Sequence, residues 1–176
     1  GADAQGGANG SISNSGVTVE WSCNGTWNTN NGVSNGDNQL MNGYIDAIGA
    51  GGFCDVNISG IDAFTFGENY DIYVYFGSDG NNRTGKVSLQ DGETYSYNTF
   101  SQHAGGFPTN YIRTEDTGDG NPQANYAVFE GISGDTQSIQ IIRGSSNSGI
   151  HGIQIVSVQV FDEDEDGLPD SWEINN

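Results

Sequence analysis

The acidic run DEDEDGLPDSWE near the C-terminus is the most specific chemical pattern in the sequence. It matches the calcium-loop pattern D-x-D-x-D-G-x-x-D-x-x-E, whose carboxylates recur at alternate positions before a glycine that permits a sharp turn. The predicted Ca²⁺ ligands are Asp162, Asp164, Asp166, Asp170, Glu173 and, through its backbone carbonyl, Leu168. A solvated acidic tail is the alternative, but it would not also place Gly167 and Glu173 at the sixth and twelfth positions. We therefore expect one calcium site within residues 162–176.

A second pattern brings aromatic rings and short polar groups together, as carbohydrate recognition requires. A sugar presents apolar C–H faces and a rim of hydroxyls, so its site needs flat aromatic side chains beside hydrogen-bonding groups. The candidate ligand-binding residues are Tyr73, Tyr75, Arg83, Tyr95, Tyr97, His103, Phe107, Tyr111 and Arg113. A plainer alternative stays open, in which the tyrosines pack on a sheet and Arg113 pairs with Glu115 or Asp116.

The stretch YDIYVYFGSDGNNRTGKVSL, residues 70–89, positions the first of these residues. Its first half has an apolar residue at every second position, which predicts a strand with one buried face and with Tyr73 and Tyr75 on the other. Gly, Ser, Asp and Asn residues then favour a loop, and a second strand follows. We expect Arg83 to lie in that loop.

An Asp-Gly pair after this second strand predicts a two-residue hairpin. The hairpin would pair residues 86–90 with residues 93–98. In that register Ser88 lies opposite Tyr95, so Tyr95 and Tyr97 are predicted to face outward.

Residues 99–123 lack a clear period and form a longer connection than is usual in a small domain. They carry His103, Phe107, Tyr111 and Arg113 among glycines, too aromatic a composition for disorder. We expect this segment to fold back onto the body of the protein and to line the ligand site.

The rest of the pattern predicts an all-β chain with little helix. Further strands are predicted over 17–21, 55–59, 62–66, 126–130 and 138–143. Residues 40–50 fit a short helix or a strand equally well, and a change of parity in the last strand predicts a bulge near Val156. Many short strands separated by glycine-rich turns predict a two-sheet β-sandwich.

The domain boundaries follow from composition. Residues 1–15 lack periodicity and are predicted to be a linker or a flexible start, without the basic and apolar parts of a signal peptide, so we expect any export signal to have been removed. The sandwich is predicted to span 16–161. Within it, residues 22–38 are predicted to be a loop, where Trp27 either closes one end of the core or offers a stacking platform for a sugar.

Only two cysteines are present, Cys23 and Cys54, with no CxxC motif and no histidine cluster beside them. They are interpreted as a disulfide in a secreted protein. Two separate buried thiols remain the alternative, because the cellular compartment decides the redox state and the sequence does not state it.

The charge balance narrows the class of partner. The 176 residues carry 23 acids against 4 Lys and Arg, a net charge of -19. Such a surface lacks the cations that nucleic-acid binding requires and repels anionic membranes, and no apolar run reaches the length of a membrane span. We therefore expect a soluble extracellular monomer that binds a neutral or weakly charged ligand.

The calcium loop resembles thrombospondin type 3-like repeats, which serve as spacers between modules in secreted bacterial proteins. The body resembles β-sandwich modules found beside polysaccharide-degrading domains, through the segments TWN, LMNGY, YDIYVYFGSDGNNRTG, GGFP, ANYAVFEG and SGIHGIQIV. The resemblance implies a carbohydrate-binding module of galactose-binding-like or jelly-roll build, with neighbouring modules in a larger enzyme. It carries over no sugar-binding residues.

Three functions remain at this stage. The first is a non-catalytic module that binds a polysaccharide such as an agarose-type galactan or a β-glucan. The second is a structural or adhesive surface module stiffened by calcium. The third, a glycoside hydrolase or polysaccharide lyase, needs two carboxylates at a set spacing, and no motif marks such a pair, so we expect no catalysis.

Overall fold

The computed structural model describes residues 7–31, 34–90, 92–99 and 110–158, and two antiparallel β-sheets pack against each other in it. The strands are β1 (Asn9–Asn14), β2 (Val17–Cys23), β3 (Gly25–Asn28), β4 (Gly43–Asp46), β5 (Phe53–Ser59), β6 (Tyr70–Gly77), β7 (Thr84–Leu89), β8 (Thr94–Asn98), β9 (Tyr126–Ile132), β10 (Thr136–Arg143) and β11 (Gly149–Ser157). Two short helices, α1 (Gly36–Leu40) and α2 (Ala63–Phe66), lie between strands. The predicted all-β sandwich is confirmed.

The order of the strands shows how the chain divides between the layers. One sheet has six strands in the order β1-β2-β5-β10-β7-β8, and the other has five in the order β3-β4-β11-β6-β9. Strands β6 and β7 are consecutive in sequence but belong to different sheets. The loop that contains Arg83 therefore crosses from one layer to the other at one end of the sandwich.

Strand β6 lies near the centre of the five-stranded sheet, paired with β11 on one side and β9 on the other. Its alternation is confirmed: Ile72, Val74 and Phe76 are fully buried, while Tyr73 and Tyr75 are half-buried on the opposite face. Burial of the three apolar side chains against the six-stranded sheet fixes which face of β6 is outward, because side chains alternate along a strand.

The predicted register of the β7–β8 hairpin is wrong by one residue. Ser88 lies opposite Thr94, and Tyr95 lies opposite Val87. A shift of one residue moves every side chain of a strand to the other face. Tyr95 and Tyr97 are therefore buried in the core, at 6% and 0% exposure, and do not face outward.

Two segments have a different secondary structure from the one predicted. The loop predicted for 22–38 contains β3 and α1. The strand predicted for 62–66 is the single-turn helix α2, whose first turn is capped because the Asp62 carboxylate accepts a hydrogen bond from the Thr65 N–H at 2.9 Å. In the segment 40–50, which fitted a helix or a strand equally well, Gly43–Asp46 form strand β4.

The structure also corrects the predicted start of the sandwich and the position of the bulge in its last strand. Strand β1 begins at Asn9 and pairs with β2 along its whole length, so the regular structure starts before the predicted boundary at Gly16. Pairing with a neighbouring strand orders this polar segment although it lacks a buried face of its own. In β11 the register shift lies between Ile150 and Gly152, not near Val156.

Cys23 and Cys54 form a disulfide between the adjacent strands β2 and β5, where they are paired across the ladder. The predicted disulfide is confirmed.

No helix in the described part of the chain is long and apolar enough to span a bilayer.

Candidate functional site

Four tyrosines meet on the outer face of the five-stranded sheet. The ladder between β6 and β9 places Tyr75 opposite Tyr126 and Tyr73 opposite Val128. Tyr111 joins them from the segment that precedes β9 in sequence. This segment runs alongside β9, because Arg113 forms a parallel bridge with Tyr126. We call Tyr73, Tyr75, Tyr111 and Tyr126 the tyrosine cluster. The prediction that the segment before β9 folds back on the body is confirmed for its described part.

The rings of the tyrosine cluster have two orientations. The rings of Tyr73 and Tyr126 are 12° from parallel with centroids 6.3 Å apart, and those of Tyr75 and Tyr126 are 29° from parallel at 6.0 Å. The ring of Tyr111 stands across them, at 70° to Tyr75 and 81° to Tyr126. Three similarly oriented rings beside one upright ring form an aromatic surface with a wall along one side.

The hydroxyls of this cluster are held by neighbouring polar groups. Tyr75 Oη donates to Gln154 Oε1 at 3.2 Å, and Tyr111 Oη donates to Asp37 Oδ1 of α1 at 2.9 Å. Burial raises the pKa of both phenols, and the hydrogen bond to Asp37 raises that of Tyr111 further. These phenols are therefore neutral at physiological pH and interact with a ligand as rings and hydrogen-bonding groups.

The inner side of the tyrosine cluster covers the sheet. Val128 points outward with Tyr73 yet is 2% exposed, and it lies outside the main core cluster. Its cover is supplied on the outer face, where the tyrosines are. All four tyrosines are half-buried, so part of each ring packs on the protein and part remains open to solvent.

The backbone of Arg113 bridges Tyr126 of the tyrosine cluster, and its side chain pairs with two carboxylates. Its guanidinium lies 2.7 Å from a Glu130 carboxylate oxygen and 3.4 Å from one of Glu115. Of the two predicted acidic partners, Glu115 and Asp116, Arg113 pairs with Glu115, and it also pairs with Glu130. With Arg113 held on two carboxylates, its remaining hydrogen-bond donors have a fixed direction.

Arg83 is not part of this surface. Its Nη1 lies 2.5 Å from Asp79 Oδ1 and 3.2 Å from the Asn147 carbonyl oxygen, in the crossing loop beyond the end of β6. Tyr95 and Tyr97 were also predicted as ligand contacts, but both pack in the core. The ring centroid of Tyr95 lies 5.4 Å from that of Phe129, and the ring centroid of Tyr97 lies 4.0 Å from that of Phe76. The structure therefore brings together Tyr73, Tyr75 and Tyr111 and separates Arg83, Tyr95 and Tyr97 from them. Arg113 is joined to the cluster through its backbone bridge with Tyr126, and its charge acts on Tyr95.

Several predicted site residues lie outside the described residues. They are His103, Phe107 and the calcium ligands Asp162, Asp164, Asp166, Leu168, Asp170 and Glu173. Among the residues that are described, no group of three or more His, Cys, Asp or Glu side chains is placed to hold a metal ion.

Two members of the site were not predicted from the sequence. Tyr126 and Gln154 were predicted to lie on strands, but neither was assigned to the ligand site. Tyr126 carries no clear signal, because Ala127, Val128 and Phe129 after it are all apolar and all buried, so the segment does not alternate. Gln154 carries no signal either, since only the pairing of β11 with β6 places it beside Tyr73 and Tyr75.

The position of Trp27 excludes core closure, one of its two predicted roles, and leaves the stacking platform open. Trp27 lies on the edge strand β3 rather than in a loop, and with 53% of its surface exposed it does not close the core. It lines a shallow groove of about 400 Å³ together with Thr26, Asn28 and Asn30. An exposed indole beside asparagines is a second surface suited to a sugar.

A buried acidic centre lies at the end of the sandwich near Arg83. Asp46 is 2% exposed, and its Oδ1 has no hydrogen-bond partner in the described part of the chain. Burial raises the pKa of Asp46 to about 6, with Arg83 opposing and Asp79 adding to the increase. Such a pKa suits a general acid, but a carboxyl so deeply buried has no surface for contact with a polysaccharide.

The chain matches no protein-family model, no curated protein and no solved structure. The fold and the outer face define it as an all-β sandwich with an aromatic surface on one sheet. Its function is therefore inferred from its own geometry.

Proposed function

We propose that the protein is a non-catalytic carbohydrate-binding module of a secreted polysaccharide-degrading enzyme and that the tyrosine cluster is its binding surface. The observation that carries this proposal is the contact of four half-exposed tyrosine rings on one outer sheet face. Rings so arranged offer apolar area to the C–H faces of a sugar at a low cost in conformational entropy.

The surroundings of the tyrosine cluster suit the hydroxyl rim of a sugar. Gln154 and Asp37, which are hydrogen-bonded to Tyr75 and Tyr111, place an amide and a carboxylate at its margin. The net charge of -19 disfavours strongly sulfated polymers. The ligand class is therefore a neutral or weakly charged polysaccharide, with an agarose-type galactan or a β-glucan as the first to test.

Affinity gel electrophoresis tests this proposal. Wild-type protein is expected to be retarded by one of these polysaccharides, and Tyr126→Ala or Tyr75→Ala is expected to weaken binding about tenfold, since one stacking ring contributes about 1–2 kcal/mol. Phe53→Ala is the matched control, because Phe53 is an exposed aromatic residue on the other sheet.

Three results would count against the proposal. Equal retardation of the tyrosine variants and wild type would remove the tyrosine cluster from the site. An absence of retardation by every polysaccharide would favour a structural or adhesive module. The release of reducing or unsaturated ends during incubation would point to an enzyme.

We also propose that residues 162–176 bind one Ca²⁺ ion, a proposal that the spacing of the acidic ligands supports. Trp172 lies within the loop, so its excitation should sensitise the luminescence of bound Tb³⁺, which Ca²⁺ should displace. The double variant Asp164→Asn/Glu173→Gln is expected to lose the signal, and Asp71→Asn on β6 is the control. Undiminished luminescence in the double variant would contradict the calcium assignment.

A further inference from the structure

Strand β1 is an open edge of the six-stranded sheet. At the opposite edge, the Ser96 N–H on β8 donates to the Asp116 carbonyl oxygen at 2.7 Å, and the Asn98 N–H donates to that of Pro122 at 2.8 Å, so a neighbouring segment covers β8. Within the described residues, β2 alone pairs with β1. An edge strand without a neighbour presents a row of backbone N–H and C=O groups that can pair with another strand.

The register of β1 on β2 shows which residues carry these groups. Asn9 lies opposite Ser22, and just before it the Cys23 N–H donates to the Ala8 carbonyl oxygen at 2.9 Å. Hydrogen-bonded pairs alternate with non-hydrogen-bonded pairs along an antiparallel ladder, so every second residue after Ala8 bonds to β2. The residues between them direct their N–H and C=O groups away from the sheet. They are Asn9, Ser11 and Ser13.

Strand β1 also extends beyond the five-stranded sheet. The rings of Tyr95 and Phe129 bring β8 beside β9, and further along β10 packs on β11 and β5 on β4. Counted in this direction, β1 is the sixth strand of its sheet, and the other sheet has five. Among the described strands none therefore lies opposite the inner face of β1. Ile12, which shares this face with Val19, is accordingly 55% exposed.

An aromatic ring lies across the inner face of β1. Trp21 is opposite Gly10 in the ladder, and its Nε1 donates to the Gly7 carbonyl oxygen at 3.2 Å. A Cβ atom on Gly10 would lie 2.4 Å from Cζ2 of this ring, so glycine makes room for the indole. The half-buried ring thus reaches from β2 over β1, next to the open edge.

We propose that two copies of the chain pair antiparallel through β1, with Ser11 opposite Ser11 of the second copy. Asn9 then lies opposite Ser13, and every outward N–H and C=O group is paired, because each of these residue pairs exchanges two hydrogen bonds. A two-fold axis perpendicular to the sheet keeps both inner faces on the same side. Ile12 consequently lies opposite Gly10 of the second copy, against the Trp21 ring that covers that glycine.

This register is favoured over its neighbours. A shift by one residue would bring the inner face of one copy beside the outer face of the other. A shift by two residues places Asn9 opposite Ser15 in one direction and Ser13 opposite Gly7 in the other. Ser15 and Gly7 have φ angles of 51° and 81°, outside the extended range of a strand. The register centred on Ser11 is therefore the one that uses all the outward groups.

The edge itself carries no charge that opposes the pairing. Strand β1 reads NGSISN, without the charged residues and prolines that protect many natural edges. Glu20 lies opposite Ser11 on β2, so the two Glu20 residues of the dimer are three strand spacings apart, roughly 14 Å. This exceeds the Debye length of about 8 Å at physiological ionic strength.

The charge of the whole chain sets the strength of the dimer. A net charge of -19 favours the monomer that the sequence predicts, so we expect a weak dimer that strengthens as salt screens the repulsion between copies. The dimer is independent of the proposed binding of polysaccharide.

Sedimentation equilibrium of the full chain tests the dimer. From about 10 μM to about 1 mM protein in about 0.5 M NaCl, the average mass should rise from one chain towards two, as expected for a small interface. Ser11→Pro removes an outward N–H and leaves the residues that bond to β2 in place, so this variant should stay monomeric. Ser11→Ala keeps the backbone groups and should dimerise like wild type.

A charge exchange tests the two-fold register. Ser11→Lys and Ser11→Glu each place like charges opposite one another and should each weaken the dimer about three- to tenfold, whereas their equimolar mixture should form a stronger mixed dimer. Because Ser11→Lys lowers the net charge, a general repulsion predicts the opposite result for it. Asn57→Lys is the control, since Asn57 is an exposed residue of β5, away from the edge.

A third variant tests the apolar contact. Ile12→Ala should lower the association constant about tenfold, because the dimer loses the contact with Trp21 twice. Ile142→Ala is the matched control, since Ile142 is a 43% exposed isoleucine of the same sheet on β10.

A mass of one chain at every concentration and salt would overturn the proposal, as would a dimer that survives Ser11→Pro. A mixture of Ser11→Lys and Ser11→Glu that associates no better than either alone would also overturn it. Masses beyond two chains would show a head-to-tail contact in its place. The wild-type protein and the charge variants decide these points even if Ser11→Pro fails to fold.

Discussion

Asp46 is a residue whose charge works against the fold. Burial raises the pKa of its carboxyl from the ordinary value of 3.8 to about 6 in the folded protein. A carboxyl with a raised pKa contributes its full stability below the unfolded value, and that stability is lost as the pH rises through the folded value. Asp46 therefore reduces the free energy of unfolding increasingly from about pH 4 to pH 6, and by a constant amount above pH 6.

We predict that Asp46→Asn stabilises the protein above pH 6 by on the order of 2–3 kcal/mol, because the neutral amide removes the buried charge. The free energy of unfolding from urea titrations of variant and wild type should differ little at pH 4 and increasingly up to pH 6. His151, whose lowered pKa has the opposite pH dependence, cancels in this difference.

Glu68→Gln removes an exposed carboxylate and is the control for Asp46→Asn. A constant difference between Asp46→Asn and wild type across this pH range would show that the carboxyl of Asp46 is not destabilised by burial.

The hairpin of β7 and β8 is the element whose register decides which tyrosines are available to a ligand. Tyr97 lies over Gly85, its partner across the ladder, and a Cβ atom on Gly85 would collide with the phenol ring. The absence of a side chain at Gly85 thus makes room for a buried aromatic ring at Tyr97, and this pairing holds the register that turns Tyr95 inward.

We predict that Gly85→Ala lowers the free energy of unfolding by about 1–3 kcal/mol, because the added methyl group displaces a fully buried ring. Gly36→Ala is the control. A Cβ atom at Gly36 meets nothing within 4 Å, and alanine favours the helix α1 more than glycine does. Chemical denaturation should show loss of stability in the first variant and a small gain in the second. Equal effects would contradict the close packing of Tyr97 on Gly85.

The disulfide joins two neighbouring strands of the six-stranded sheet. It closes a loop with a sequence separation of 31. We predict that Cys23→Ala/Cys54→Ala lowers the free energy of unfolding by about 3–4 kcal/mol in the chain-entropy account. Urea titration should show this loss, and a reducing agent should lower the stability of wild type but not of the double variant.

At the scale of the whole molecule, the charge balance is the dominant physical property. A net charge of -19 on 176 residues makes the folded chain repel itself. We predict that the melting temperature rises as NaCl increases from about 20 mM to about 500 mM, because screening shortens the range of this repulsion. A melting temperature that stays constant or falls over this range of salt would contradict self-repulsion as the dominant effect.

The sequence by itself determined the class of fold and much of its local structure. Strands β2, β5 and β6 follow from apolar residues at alternate positions, since each has one face against the core. The outward direction of Tyr73 and Tyr75 follows from equally local information, and two cysteines leave a single possible pairing once they are oxidised.

The tertiary structure alone decided the composition of the site. Local sequence does not show that β6 pairs with β9 and β11 while β7 joins the other sheet, so the meeting of Tyr75 with Tyr126 and Gln154 was not predictable. Nor does it show the register of a hairpin. A difference of one residue in the turn reverses the direction of every side chain in a strand, and the burial of Tyr95 and Tyr97 in the shared core settles that choice.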